Sequence, residues 1–189
     1  MELTILNVRK DKMIEKRNKK NKKNKSDTLR LSSDLIFVRH AEAIRDSNID
    51  NNLLPLTNLG IAQAQEVSKL LENQFDITFC STSMRALITA RIISNGEEPI
   101  QDKRLLERGW GNKKQDGNET DKEAEIRIVN FLKEIMKKYS GKRILIVTHG
   151  ALIKIAQNAI ENSVIDRGRL NNCTTIKYTK NGKKLVLKN

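Results

Sequence analysis

Apolar residues recur along this chain in two alternating patterns. Leu35-Ile36-Phe37-Val38 is a compact apolar run, the pattern of a strand buried on both faces. Residues 58–73 follow with Ala64, Val67, Leu70 and Leu71 at helical spacing. The strand pattern returns over residues 75–80 and the helical one over 84–93. A third helix is predicted to start at Thr120-Asp121-Lys122-Glu123, a capping box whose hydroxyl and carboxylate satisfy free backbone N–H groups. Its core stripe is Ile128, Leu132, Ile135 and Tyr139. Ile144-Leu145-Ile146-Val147, within residues 143–148, is the strongest buried-strand signal, and a helix over 151–160 follows it. Residues 174–178 and 185–187, joined around Asn181-Gly182, read as a closing hairpin. Strands alternating with helices predict an α/β fold, a three-layer α/β/α sandwich with a mostly parallel sheet covered on both faces.

Length and charge refine that picture. The 189 residues suit one domain with a proper core. Of the formal net charge of +13, residues 1–33 contribute 11 basic against 4 acidic side chains, so the remainder is only mildly basic. Ten positive charges lie in the seventeen residues from Arg9 to Lys25, with almost nothing apolar to bury. Residues 1–33 are therefore expected to be a disordered Lys/Asn-rich leader, and 34–189 the folded domain. No apolar run approaches the roughly 20 residues of a membrane helix, and the N-terminus reverses the order of a secretory signal. Cys80 and Cys173 stand far apart in apolar, β-like contexts and are expected to be reduced core thiols of a cytoplasmic protein.

Ligands of such sheets gather at the carboxyl ends of the strands. The first strand ends in Arg39-His40-Ala41-Glu42 and the strongest later one in Thr148-His149-Gly150, and these hold the chain's two histidines. Two histidines without a Cys cluster are poor metal-ligand spacing, and Arg39 would repel a cation. Arginine beside histidine suits an anion, because guanidinium offers a fixed fork of donors to phosphate oxygens.

These residues resemble the Arg-His-Gly signature of the histidine phosphatase superfamily, the phosphoglycerate mutase-like clan. Further stretches are similar in the same order. Pro55-Leu56-Thr57-Asn58-Leu59-Gly60-Ile61-Ala62-Gln63-Ala64 resembles the clan's Pro-Leu-Thr-x-x-Gly-x-x-Gln-Ala helix entry. Ser81 to Ala90 resembles its Ser-x-x-x-Arg-Ala-x-x-Thr-Ala segment, and Leu105 to Gly111 its Leu-x-Glu-Arg-x-aromatic-Gly stretch. Val147-Thr148-His149-Gly150 resembles the second histidine motif. The pattern runs from residue 35 to 150, with the hairpin fitting the clan's C-terminus.

The resemblance implies a phosphoglycerate mutase-like fold and a phosphatase that needs no metal or other cofactor, with a small phosphorylated substrate. It makes His40 the nucleophile, Arg39, Arg85 and His149, with Gly150, the groups around the phosphoryl oxygens, and Glu107 the acid/base. An imidazole flanked by Arg39 should be disfavoured as a cation, leaving a neutral nitrogen lone pair at neutral pH. Residue chemistry alone leaves alternatives open. Glu107 also reads as an exposed carboxylate paired with Arg108, Arg85 as a helix-start arginine in a surface ion pair, and Arg108 as either a substrate contact or solvated surface. Trp110 reads as packing.

Three departures stand out. Ala41 replaces the usual Gly, which is tolerable where φ is negative. Asp46 replaces an Asn found in many mutase-like members and would bring negative charge near the substrate. Only 42 positions separate Glu107 from His149, with Asn112–Glu119 a short polar loop, so the cap insertion is reduced and an open pocket is expected. A phosphoglycerate mutase-type transfer is one alternative function. Binding of nucleic acid or an anionic membrane by the leader is another, although residues 9–25 lack an aromatic for base stacking.

Overall fold

The computed structural model describes residues 33–72, 74–108, 119–162, 168–179 and the backbone of 184–187. Six strands form one sheet: β1 (Asp34–Arg39), β2 (Ile77–Cys80), β3 (Ile100–Gln101), β4 (Arg143–Thr148), β5 (Thr175–Tyr178) and β6 (Lys184–Leu187). Their spatial order is β3-β2-β4-β1-β5-β6. The first four run parallel, and β5 and β6 close the sheet antiparallel. The helices are α1 (Asn58–Leu70), α2 (Met84–Ile93), α3 (Asp121–Lys138) and α4 (Gly150–Glu161).

Alternation along the central strands explains the layers. Leu35 and Phe37 of β1, with Ile144 and Ile146 of β4, point to one face and pack with Ile128, Leu132 and Ile135 of α3 and Leu152, Ile153 and Ala156 of α4. Ile36, Val38, Leu145 and Val147 point to the other, against Ala64 and Val67 of α1 and Ala86, Ala90 and Ile93 of α2. The eight strand residues are all at most 1% exposed. At about 1.5–3 kcal/mol for each buried side chain, they anchor the sheet. The three-layer α/β/α sandwich is the one the strand and helix patterns predict.

Local signals also match. Thr120 and Glu123 form the capping box at the start of α3, and β5 pairs with β6 as the hairpin requires. Two expectations need correction. Leu70 does not join the α1 core: it is 60% exposed, and Gly60 is buried on the inward side instead. Strand β3 was not anticipated, because both of its residues are exposed and it carries no alternation. Ser33, placed in the leader, is buried and donates its hydroxyl to the Tyr139 carbonyl at 2.8 Å. The rest of the leader, Trp110, most of Asn112–Glu119, and Asn181-Gly182 lie outside the described residues. Among the described residues no helix is long and apolar enough to cross a membrane.

Candidate active site

β1 and β4 are neighbouring parallel strands in which Arg39 pairs with Thr148, so the residues that follow them stand side by side. The His40 amide donates to the Thr148 carbonyl at 2.9 Å. The two imidazole centroids are 5.1 Å apart, with ring planes at 66°. The Thr148 hydroxyl in turn donates to the Leu105 carbonyl at 2.6 Å, which holds the Leu105-Leu106-Glu107 segment against the same strand end.

Hydrogen bonding fixes the tautomer of each ring. His40 Nδ1 lies 2.8 Å from the Ala41 carbonyl, which can only accept, so Nδ1 carries the proton. Nε2 keeps its lone pair, which accepts from Arg85 Nε at 3.2 Å. In His149 the assignment is reversed: Arg85 Nη2 donates to Nδ1 at 3.4 Å, and Nε2 donates to the Ser81 hydroxyl at 2.9 Å. Burial is the main reason both rings stay neutral, ahead of the neighbouring guanidinium groups. The pKa of His40 is held down to about 3, with Arg85 and then Arg39 adding to the effect, and that of His149 lies well below the ordinary value. Arg39 is thus a lesser cause than its adjacency suggests.

Arg85 sits in the first turn of α2, buried, and bonds both histidines and the Asn51 carbonyl. That excludes the surface ion-pair reading. Arg39 donates to the Leu170 carbonyl and packs beside Gly150. Glu107 is half-buried, and burial raises its pKa. Backbone N–H groups of Arg108, Leu152 and Ala151 oppose the rise, because they and the N-terminus of α4 favour its charge. Arg108 is ion-paired with Asp121 rather than with Glu107.

The Pro-Leu-Thr-x-x-Gly-x-x-Gln-Ala stretch acts as a brace for the loop after the nucleophile. Thr57 caps α1 and donates its amide to the Glu42 carbonyl and its hydroxyl to the Glu42 carboxylate, both at 3.1 Å. Gln63 Oε1 accepts from the Glu42 amide at 3.0 Å. Gly60 permits the approach: a Cβ there would sit 2.0 Å from the Glu42 carbonyl oxygen. On the other side, Asn172 Nδ2 donates to the His40 carbonyl at 3.0 Å. Cys173 donates its amide to the Arg39 carbonyl at 3.1 Å from a left-handed φ of 58°. Cys80 and Cys173 are buried thiols outside any disulfide, and burial pushes their pKa values up to about 12.

His40, Arg39, Arg85, Glu107 and Gly150 line one cavity of about 1170 Å³ that opens to solvent. His149 is fully buried behind it. Among the described residues no three His, Cys, Asp or Glu side chains are grouped to hold a metal.

The model of the histidine phosphatase superfamily (branch 1) matches residues 35–119 and 112–189. The chain belongs to that superfamily. A search of curated protein sequences returns no significant match. Among solved structures, a phosphoserine phosphatase variant from Entamoeba histolytica in complex with phosphoserine is similar at 22% identity and a TM-score of 0.66, covering 82% of this chain and 95% of that one. YhfR from Bacillus stearothermophilus is similar at 24% identity and a TM-score of 0.65, again over 82% and 95%. A mycobacterial glucosyl-3-phosphoglycerate phosphatase is similar at 18% identity and a TM-score of 0.64, over 81% and 96%. These likenesses are likenesses of fold.

Against the superfamily pattern, Ala41 is harmless: it is buried and is not among the positive-φ residues. Asp46 does not line the cavity: it is half-buried and accepts from the Asn48 amide at 2.8 Å in a local turn. Arg108 does not line it either. Sequence reasoning assigned no role to Ser81, Arg45, Lys154, Arg169 or Asn172. Ser81 follows directly after β2, so the strand-end rule that selected the histidines also points to it. The others come from loops and one helix face with no periodic signal.

Proposed function

We propose that the protein is a phosphatase that hydrolyses small phosphomonoesters without a metal, through a phosphohistidine intermediate on His40. The observation that carries this reading is the locked tautomer of His40. A neutral ring with Nδ1–H given to the Ala41 carbonyl leaves the lone pair on Nε2 at the cavity wall, where Arg85 Nε holds it at 3.2 Å and frees it for attack by turning to the phosphoryl oxygens. Nε2 attacks phosphorus in line, and the bond from phosphorus to the ester oxygen breaks. Glu107, disposed by burial to hold a proton, passes it to the departing oxygen. Its carboxylate then takes a proton from water as the water oxygen attacks phosphorus, and the N–P bond breaks back to His40. Splitting hydrolysis into capture and release replaces one hard step with two easier ones.

The transition state spreads negative charge over the equatorial oxygens, so positioned cations do most of the work. Arg39 and Arg85 are the donors for those oxygens, and His149 fixes Arg85 from behind. A mutase must shield its intermediate from water, and the open cavity favours release to solvent. A panel of phosphomonoesters assayed on the wild type and His40→Ala, with and without chelator, tests the reading. Phosphate release is expected to be lost in the variant and untouched by the chelator. Release that survives His40→Ala or vanishes with chelator overturns it, and isomerisation of phosphoglycerate without phosphate release would establish the mutase instead.

A further inference from the structure

We infer that Arg127 is a positioning residue for Glu107: its guanidinium grips the carbonyls on either side of Leu105 and fixes the peptide plane from which the acid/base projects. This rests on the phosphatase reading and adds to it a residue that does not itself line the cavity.

The segment that leads to Glu107 needs partners from outside. It leaves β3 through a single turn, Lys103–Leu105, in which the Leu105 amide donates to the Asp102 carbonyl and the Leu106 amide to the Lys103 carbonyl. Such a turn consumes the carbonyls at its start and leaves its last ones to be satisfied from elsewhere. Three consecutive carbonyls are met in this way. Thr148 donates its hydroxyl to that of Leu105 at 2.6 Å, and Arg127 Nη1 donates to those of Arg104 and Leu106 at 2.6 and 3.0 Å. Thr148 thus secures Leu105 at the strand end. The carbonyl that Arg127 secures beyond it belongs to the planar unit joining Leu106 to Glu107. Its direction sets the direction of the Glu107 amide and the place of the Glu107 Cα.

Arg127 is itself held in one orientation. It stands half-buried on α3, where Nε donates to Glu119 Oε1 and Nη2 to Glu119 Oε2, both at 2.7 Å. The planar guanidinium makes a two-pronged contact with the carboxylate along one edge and presents the protons of Nη1 to backbone along the other. A pair that only stabilised the surface would be complete with Glu119; the two carbonyls are what join α3 to the acid/base. The charge of Arg127 also reaches His149, as the last of the causes, burial being the first, that hold that ring neutral. That influence depends on charge, whereas the grip on Leu106 depends on the shape of the guanidinium. Arg127→Lys, which keeps the charge and loses the second edge, separates the two.

Only an alkyl leaving group needs the proton of Glu107, and kcat/KM reports phosphoryl capture without the later attack by water. Steady-state assays of the full chain with propyl phosphate and p-nitrophenyl phosphate are therefore the test. Arg127→Met is expected to lower kcat/KM by about 10²-fold for propyl phosphate, the order for a reacting group displaced by about an ångström, and by less than about threefold for p-nitrophenyl phosphate. Arg127→Lys should show the same split and Glu119→Gln a weaker one in the same direction, and these two serve where Arg127→Met does not fold. In a Glu107→Gln background, Arg127→Lys should cost less than about threefold with either ester, because the group it positions is gone. Arg91→Met, which removes the exposed pair with Glu98, should keep the wild-type ratio of the two esters.

A merely stabilising role, or one exerted through His149, would slow both esters alike. Equal losses with the two esters, a wild-type ratio in Arg127→Lys, or a full loss that persists in the Glu107→Gln background overturns the inference and leaves the phosphatase reading standing. If the wild type hydrolyses neither ester, or Glu107→Gln keeps the wild-type ratio, the phosphatase reading fails and the inference falls with it, a result recognisable without any Arg127 variant.

Discussion

The carboxyl ends of β1 and β4 carry the same residue on adjacent parallel strands, yet the two imidazoles are held in opposite ways. His40 gives its proton-bearing nitrogen to its own backbone and holds the Nε2 lone pair against Arg85 Nε at the cavity wall. His149 gives Nε2–H to Ser81 and turns its lone pair to Arg85, with no exposed surface. Both rings are neutral for the same cause, burial. Arg85 faces the lone pair of both, so the difference lies in which nitrogen carries that lone pair and in whether the ring lines the cavity. A strand end places a histidine near a ligand, and its tautomer together with its access to the cavity decides whether it can attack one.

Breaking the two rings in turn gives the largest predicted effects. His40→Ala removes the nucleophile and should lower kcat for phenyl phosphate by about 10⁴-fold or more. His149→Ala leaves the nucleophile and should cost only about 10²–10³-fold, the range for losing one preorganised partner of the transition-state charge. Glu107→Gln should reduce kcat by roughly 10²–10⁴-fold for alkyl phosphates, and much less for p-nitrophenyl phosphate, whose leaving oxygen needs no proton. Comparing the two substrates in steady-state assays checks this.

Arg85→Lys keeps a charge but loses the fork that bonds both rings. A kcat loss on the order of 10²-fold is expected, with inorganic phosphate inhibiting less strongly. Neutral burial also predicts acid sensitivity. The folded value of His40 is depressed from 6.5 to about 3, so the unfolded chain takes up protons first as pH falls. Stability present above pH 6.5 is therefore lost towards pH 3, and His149 adds to the loss. Glu107, raised when folded, opposes it as a single group. Melting temperatures at pH 7 and pH 5 should show a steeper fall for the wild type than for His40→Gln. Ser81→Ala, the smallest change, leaves the buried N–H of His149 only the Ser83 hydroxyl at 3.4 Å and should cost about 1 kcal/mol of stability by denaturant titration.

Much of this was legible in the order of residues, for reasons that vary by element. β1 and β4 are continuous apolar runs because both faces are covered, and the strand-end rule then found both histidines. The braces around Glu42 were visible only as a pattern of Thr57, Gly60 and Gln63. Their purpose requires knowing that α1 packs on the loop after His40. Leu70 was misplaced because helical spacing cannot say where a helix leaves the sheet. Arg45, Lys154 and Arg169 reach the cavity from three separate segments, a convergence set by tertiary packing, which no periodicity encodes.

The central claim is that His40 carries the phosphoryl group between substrate and water. Rapid acid-free quenching during turnover, followed by mass spectrometry of the digested chain, tests it directly. One phosphoryl group per chain on the peptide bearing His40, stable in base, labile in acid and missing from His40→Ala, is the predicted result. Label on His149 or Ser81, or phosphate release with no labelled chain at any time point even when a good leaving group makes breakdown rate-limiting, would contradict it.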